Sequence, residues 1–90
     1  MLLDNNTESR RKFVAWSKAR LIPGWPSYRQ DCDGRWICWS DYGKNGTYGW
    51  QIDHILPRSL GGSDLDHNLR ARHWLGNTSA GGILGRLMAG

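Results

Sequence analysis

Two cysteines, three prolines and no long apolar run mark this sequence of ninety residues. Two thiols cannot complete a four-cysteine zinc site, and Cys32 and Cys38 are not spaced as a C-x-x-C redox motif. They read as reduced thiols buried in the fold, with a Cys32–Cys38 disulfide as the alternative. No stretch approaches the roughly 18 apolar residues of a membrane span. The start, Met1-Leu2-Leu3-Asp4-Asn5-Asn6, lacks a basic segment followed by an apolar one, so no secretory signal is expected. A cytoplasmic location with no membrane partner is the expectation. No repeat or linker divides the chain, so residues 1–90 are read as one domain.

Glycine and tryptophan are plentiful, at 12 and 6 residues. The glycines give loops and tight turns a large share of the chain. A domain of this size buries only about 60–65% of the surface its unfolded chain exposes. Each tryptophan needs space for its ring and a partner for its N–H, which favours a core built on aromatics. The net charge of +4 suits a polyanionic partner or, more simply, a solvated basic surface.

The fold class expected is α+β. Three-to-four spacing of Phe13, Trp16 and Ala19 or Arg20, with Val14, Ser17 and Leu21 on the next stripe, predicts a basic amphipathic helix over 7–22. Asn5 and Glu8 offer a capping-box-like start, and Pro23-Gly24 a stop. The cations Arg10, Arg11, Lys12, Lys18 and Arg20 either form a solvated face or meet phosphates. Arg35 to Ser40 alternates as a short strand, and Tyr48 to Ile52 reads as its hairpin partner. Pro57 stops the second strand, and residues 57–68 form a long loop of the kind that is usually functional. A short strand over 69–71 and a helix from about Arg72 follow. The last ten residues hold four glycines and make poor helix material.

The chemistry concentrates in Asp53-His54 and the positions after it. Phosphodiester hydrolysis needs an activated water and stabilisation of the charge on the transition state and leaving oxygen. His54 suits the first task, because an ordinary imidazole is mostly neutral at pH 7. Asp53 supplies a hard oxygen for Mg2+ or Mn2+, and Asn77 offers a second, neutral oxygen. Neighbours in a regular strand face opposite ways, so Asp53 and His54 share a site only where the strand breaks. Arg58 and Arg70 or Arg72 are the candidates for holding the scissile phosphate.

Asp53-His54, Pro57, Gly61-Gly62, Asn68-Leu69 and Asn77 stand in a register that resembles the HNH (ββα-metal) endonuclease family. Separations of 14 from His54 to Asn68 and 9 from Asn68 to Asn77 carry the resemblance. Tyr48-Gly49-Trp50 and His73-Trp74 look like those of small bacterial and phage HNH proteins. The resemblance implies a ββα-metal finger over 48–80, behind an N-terminal helix and a β-hairpin. It implies His54 as general base, Asp53 and Asn77 as ligands of one divalent metal ion, and Asn68 as the structural asparagine. Asn68 would tie down the long loop and fix the His54 ring through its backbone carbonyl. Gly61-Gly62 would supply the loop's sharp turn. His73, one helical turn before Asn77, would be an additional site residue; the alternative is packing beside Trp74. Mg2+ or Mn2+ is the expected ion, with Zn2+ or Ni2+ as alternatives. Many relatives hold a structural zinc with four cysteines; without it, tryptophan packing must support this core.

The function implied is metal-dependent DNA endonuclease, in a bacterial cell or phage-infected host. One site would nick one strand, and double-strand cutting would call for a homodimer or two encounters. The first rival is a non-catalytic nucleic-acid-binding module on the same scaffold. The second is a structural-metal protein that binds a partner protein.

Overall fold

Residues 7–77 are described in the computed structural model, beginning with helix α1 (Glu8–Ser17). Thr7 caps it: Oγ1 accepts from the Arg10 N–H at 3.2 Å. Asn5 lies outside the described residues. Glu8 is no capping-box member; its carboxylate accepts from the Tyr42 hydroxyl at 2.5 Å. The helix stops at Ser17, well before Pro23-Gly24, and Arg29 covers its end. Its Nη1 donates to the carbonyls of Trp16, Ser17 and Ala19 at 3.2–3.3 Å. A cation thereby satisfies the last carbonyls at the negative end of the helix. Periodicity cannot register a side chain arriving from another element.

The chain then forms β1 (Arg20–Leu21), β2 (Tyr28–Gln30) and β3 (Trp36–Cys38), an antiparallel sheet in that order. A second antiparallel pair joins β4 (Trp50–His54) to β5 (Leu69–His73). Backbone over 74–77 is helical, which agrees with the helix expected to start near Arg72. The architecture is α+β. Among the described residues no helix is long and apolar enough to cross a membrane. The expected hairpin between 35–40 and 48–52 is not formed. β3 pairs with β2 around the turn at Asp33-Gly34, and β4 takes β5. A single backbone bond, Cys38 N–H to the Tyr48 carbonyl at 3.0 Å, joins the two segments that were expected to pair.

Asp31 locks the first sheet to the second. This buried carboxylate accepts from the N–H groups of Asp33 and Arg35 at 2.9 Å and, through its other oxygen, from that of His73 at 2.8 Å.

The core is aromatic, as the composition implied. Trp16, Trp39 and Trp50 lie 5.3–6.1 Å apart between ring centroids, and Tyr42 stands 4.9 Å from Trp50. Ala15, Ile37, Leu69 and Ala71 complete it. Trp50 is fully buried, with its indole N–H bonded to the Cys38 carbonyl at 2.8 Å. Of the expected stripe Trp16 faces inward, but Phe13 is 62% exposed, and Ala15 is buried in its place.

The cations of α1 are spent on the protein itself. Arg10 binds Asp66 in a bidentate pair at 2.8 Å, and Lys18 donates to the carbonyls of Asp66 and Leu69. Lys12 sits over the rings of Trp39 and Tyr42, 4.2 and 5.0 Å from their centroids. The Asp66 contacts fasten the helix and its C-cap to the loop after β4, and Lys12 fastens it to the segment before β4. The Arg10 guanidinium holds the Asp66 carboxyl below the usual carboxylate range. Cys38 is buried and Cys32 exposed; both are free thiols, so only one fits the expectation of buried thiols.

Candidate active site

The loop from Ile55 to Asn68 is the frame of the site. It opens at Pro57, passes through a short 3-10 turn (Arg58–Leu60), and closes in another (Asp66–Asn68). Gly61 has φ +93°, a left-handed backbone that side chains rarely adopt. Gly62 lies so close to the Leu56 carbonyl that a Cβ there would collide with it. Asn68 holds the two limbs together. Its amide oxygen accepts from the Leu56 N–H at 2.8 Å, and its amide nitrogen donates to the carbonyls of Leu56 and Ser63 at 3.1 and 2.7 Å. Buried to 6% exposure, Asn68 does for this loop what a strand ladder does elsewhere. Its backbone carbonyl accepts from the Ile55 N–H at 2.9 Å and does not fix the His54 ring.

Asp64 has that role. The His54 Nε2 lies 2.7 Å from Asp64 Oδ1. This hydrogen bond is the main reason the Asp64 carboxyl sits below its ordinary range, and Arg58 and Arg11 add to the effect. An ionised carboxylate only accepts, so Nε2 carries the hydrogen. In the neutral ring, Nδ1 is then the basic nitrogen. Among the described residues it has no hydrogen-bond partner.

Asp53 and His54 reach one cleft because they end a strand. β4 pairs Asp53 with Arg70 and His54 with Leu69, the last rung of the ladder. Within the strand the two side chains alternate, but beyond that rung the loop turns away and leaves both open to the same space. The cleft, of about 670 Å3, is lined by Asp53, His54, Arg58, Arg70, Arg72 and Asn77 among others. Asn77 is brought in by the helical turn after β5 and held by Gln51, whose Oε1 accepts from its Nδ2 at 2.8 Å.

The arginines differ in commitment. Arg70 Nε donates to Asp53 Oδ2 at 2.7 Å. Arg72 forks between two carboxylates, 3.0 Å from Asp33 and 3.9 Å from Asp53. Arg58 is 67% exposed and reaches Asp64 only at 3.4 Å, which leaves it free to meet a phosphate.

His73 does not join this cleft. It is buried on the core face of β5, donates through Nε2 to the Thr47 carbonyl at 2.7 Å, and accepts at Nδ1 from the Leu75 N–H at 3.0 Å. Both nitrogens are used, and the ring stacks on Trp74. Alternation along β5 gives the reason: Arg70 and Arg72 face the cleft, while Leu69, Ala71 and His73 face inward.

The donors suit a loosely held, hard divalent cation. No group of three or more His, Cys, Asp and Glu side chains among the described residues forms a metal cage. Among the described residues Asp53 Oδ1 takes no hydrogen bond, and Asn77 bonds only through its amide nitrogen. Two protein oxygens leave most of a six-ligand sphere to water and substrate. Asp53 and Asn77 are oxygen donors of the type such an ion takes, and Arg70 competes for the Asp53 carboxylate.

Sequence reasoning missed Asp64, Gln51 and Asp33. An imidazole acting as a base needs an acceptor for its other nitrogen, and that requirement points to an acidic residue of the loop. Nothing in the spacing distinguishes Asp64 from Asp66. No family model matches this chain, and neither does any curated protein or solved structure, so its site stands on the geometry described above.

Proposed function

We propose that this chain is a metal-dependent DNA endonuclease of the HNH type that hydrolyses phosphodiester bonds, one strand per active site. The observation that carries the reading is the convergence of Asp53, His54 and Asn77 on one cleft edged by Arg58, Arg70 and Arg72. The order of β4, a tied loop, β5 and a helical turn supports it, because that layout corresponds to a ββα finger.

His54 Nδ1 accepts the proton of the attacking water while Asp64 holds the ring and balances the charge it acquires. Arg58 and Arg72 draw the phosphate into the cleft and offset its charge. Asp53 and Asn77 would hold the divalent ion, which when bound stabilises charge on the phosphoryl and leaving oxygens. Arg70 keeps the Asp53 carboxylate at the mouth of the cleft.

Nicking of supercoiled plasmid in Mg2+ or Mn2+, abolished by EDTA and restored by added metal, is the expected result. Absence of nicking with Mg2+, Mn2+, Zn2+ and Ni2+ alike would end the proposal. Double-strand cutting requires two sites, in a homodimer or in successive encounters.

Asp64→Asn separates a positioning role from a structural one. It is expected to lower kcat about tenfold or more with KM little changed. A fall in DNA affinity in place of kcat would contradict the assignment. The stability effect has a definite sign. A depressed carboxyl stabilises the fold above the unfolded value near ~3.9, and that stabilisation disappears as pH falls through the folded value. Melting temperatures of wild type and Asp64→Asn should therefore differ at neutral pH and converge below about pH 4.

One observation favours the second reading, a non-catalytic nucleic-acid-binding module. Arg70 already occupies Asp53 Oδ2 at 2.7 Å, so the cleft can bind phosphate without an ion. That reading predicts salt-sensitive DNA binding indifferent to EDTA.

A further inference from the structure

Away from the cleft, four aromatic rings gather on the outer side of the first sheet. Tyr28 lies 5.1 Å from Tyr48, 6.0 Å from Trp36 and 5.9 Å from Trp25, and Trp25 lies 6.1 Å from Trp36, all between centroids. None of these rings belongs to the Trp16–Trp39–Trp50 core. Trp25 is 54% exposed, and Trp36 and Tyr48 are 37% exposed. A groove of about 580 Å3 runs beside them, lined by Arg35, Trp36, Thr47, Tyr48 and Leu75. Exposed aromatic surface on this scale marks a place of contact.

Charge and position indicate what covers it. Arg35 stands at the groove, 3.4 Å from Asp33 Oδ2, and Arg72 meets the same oxygen at 3.0 Å from the cleft side. Gly76 packs so closely against this group that a Cβ would lie 2.9 Å from both Arg35 and Asp33. A line of charges of alternating sign, Asp53, Arg72, Asp33 and Arg35, thus runs from the cleft to the rings, with Arg35 its exposed cation. Phosphates following that line would bring their bases over Trp36 and Tyr48. Paired bases cannot stack on a protein ring, whereas unpaired bases present their faces freely.

We propose that Trp25, Tyr28, Trp36 and Tyr48, with Arg35, form a binding site for the unpaired bases of a single-stranded DNA segment adjoining the phosphate held in the cleft. The site rests on the endonuclease reading for its orientation, and it makes a duplex with a single-stranded tail or flap the preferred substrate over blunt duplex.

The test uses the full chain with His54→Ala, which removes cutting, and fluorescence anisotropy with labelled duplexes. One duplex is blunt, one carries a short tail of unpaired thymidines, and one carries a tail of the same length made of abasic sites. The thymidine tail is expected to tighten binding at least about fivefold for each stacked base, and the abasic tail to lose that gain. Trp36→Ala and Tyr48→Ala should lose it too, with blunt-duplex affinity retained. The abasic tail makes the same deletion on the DNA, so a variant that fails to fold does not decide the matter. Equal affinity for abasic and thymidine tails would overturn the proposal. So would sedimentation showing a dimer that the tailed duplex does not disturb and Trp36→Ala dissociates. Plasmid nicking by the unaltered protein is read separately. Nicking without a preference for unpaired bases sinks the aromatic site alone. A preference without nicking sinks the nuclease reading alone.

Discussion

His54→Ala is expected to slow plasmid nicking by about a hundredfold to ten-thousandfold while DNA affinity stays nearly unchanged. The imidazole is held at the cleft by one contact, the 2.7 Å bond from Nε2 to Asp64. Its removal takes away the proton acceptor and no phosphate contact, since the arginines that would hold DNA are supported by Asp53, Asp33 and Asp64. The loop should survive, because Asn68 ties it through three bonds of its own. Single-turnover rates with saturating enzyme isolate the chemical step from binding. A variant that nicks at the wild-type rate would remove His54 from the mechanism. Loss of folding would show instead that the His54–Asp64 pair is structural, which a circular dichroism melt distinguishes.

Trp50→Ala has the largest expected effect on stability. Trp50 is fully buried between Trp16, Trp39 and Tyr42, and its N–H is bonded to the Cys38 carbonyl. Truncation of a buried aromatic costs about 3–5 kcal/mol. A chain of this length has on the order of 5–13 kcal/mol in total. At about 4–8 °C per kcal/mol, the melting temperature should fall by at least about 12 °C. Trp50→Phe keeps the ring but abandons the Cys38 carbonyl, for a smaller loss of about 1–3 kcal/mol. A Trp50→Ala protein that melts within a few degrees of wild type would mean the core is centred elsewhere. Because Trp50 begins β4 and Asp53-His54 end it, the same substitution should also loosen the cleft.

Several features were legible in the residues alone. An aromatic core follows from six tryptophans in a short chain, each with an N–H to satisfy. The break that lets Asp53 and His54 share a space follows from Pro57 and the period of a strand. The turn at the glycine pair, where Gly61 adopts a left-handed backbone and Gly62 leaves no room for a Cβ, was given by the family resemblance. Strand partners were not legible. Residues 35–40 and 48–52 both alternate, yet β3 pairs with β2 and β4 with β5. Alternation tells which residues share a face; it carries no information about which strand lies alongside.

By itself the sequence determined the inventory: an imidazole and a carboxylate at a strand end, two amides at set distances, a surplus of arginine, and a core of indoles. Local rules of turn, strand period and ring burial are enough for that. Only the tertiary structure decided the partnerships. It gave Asp64 to His54, Arg70 to Asp53 and Gln51 to Asn77, and it turned Arg10 and Lys12 of α1 toward Asp66 and the rings of Trp39 and Tyr42. It also withdrew His73 into the core and covered the end of α1 with a guanidinium from β2. Charge–charge and hydrogen-bond contacts act across space between groups far apart in the chain, and side-chain spacing along one element cannot anticipate them.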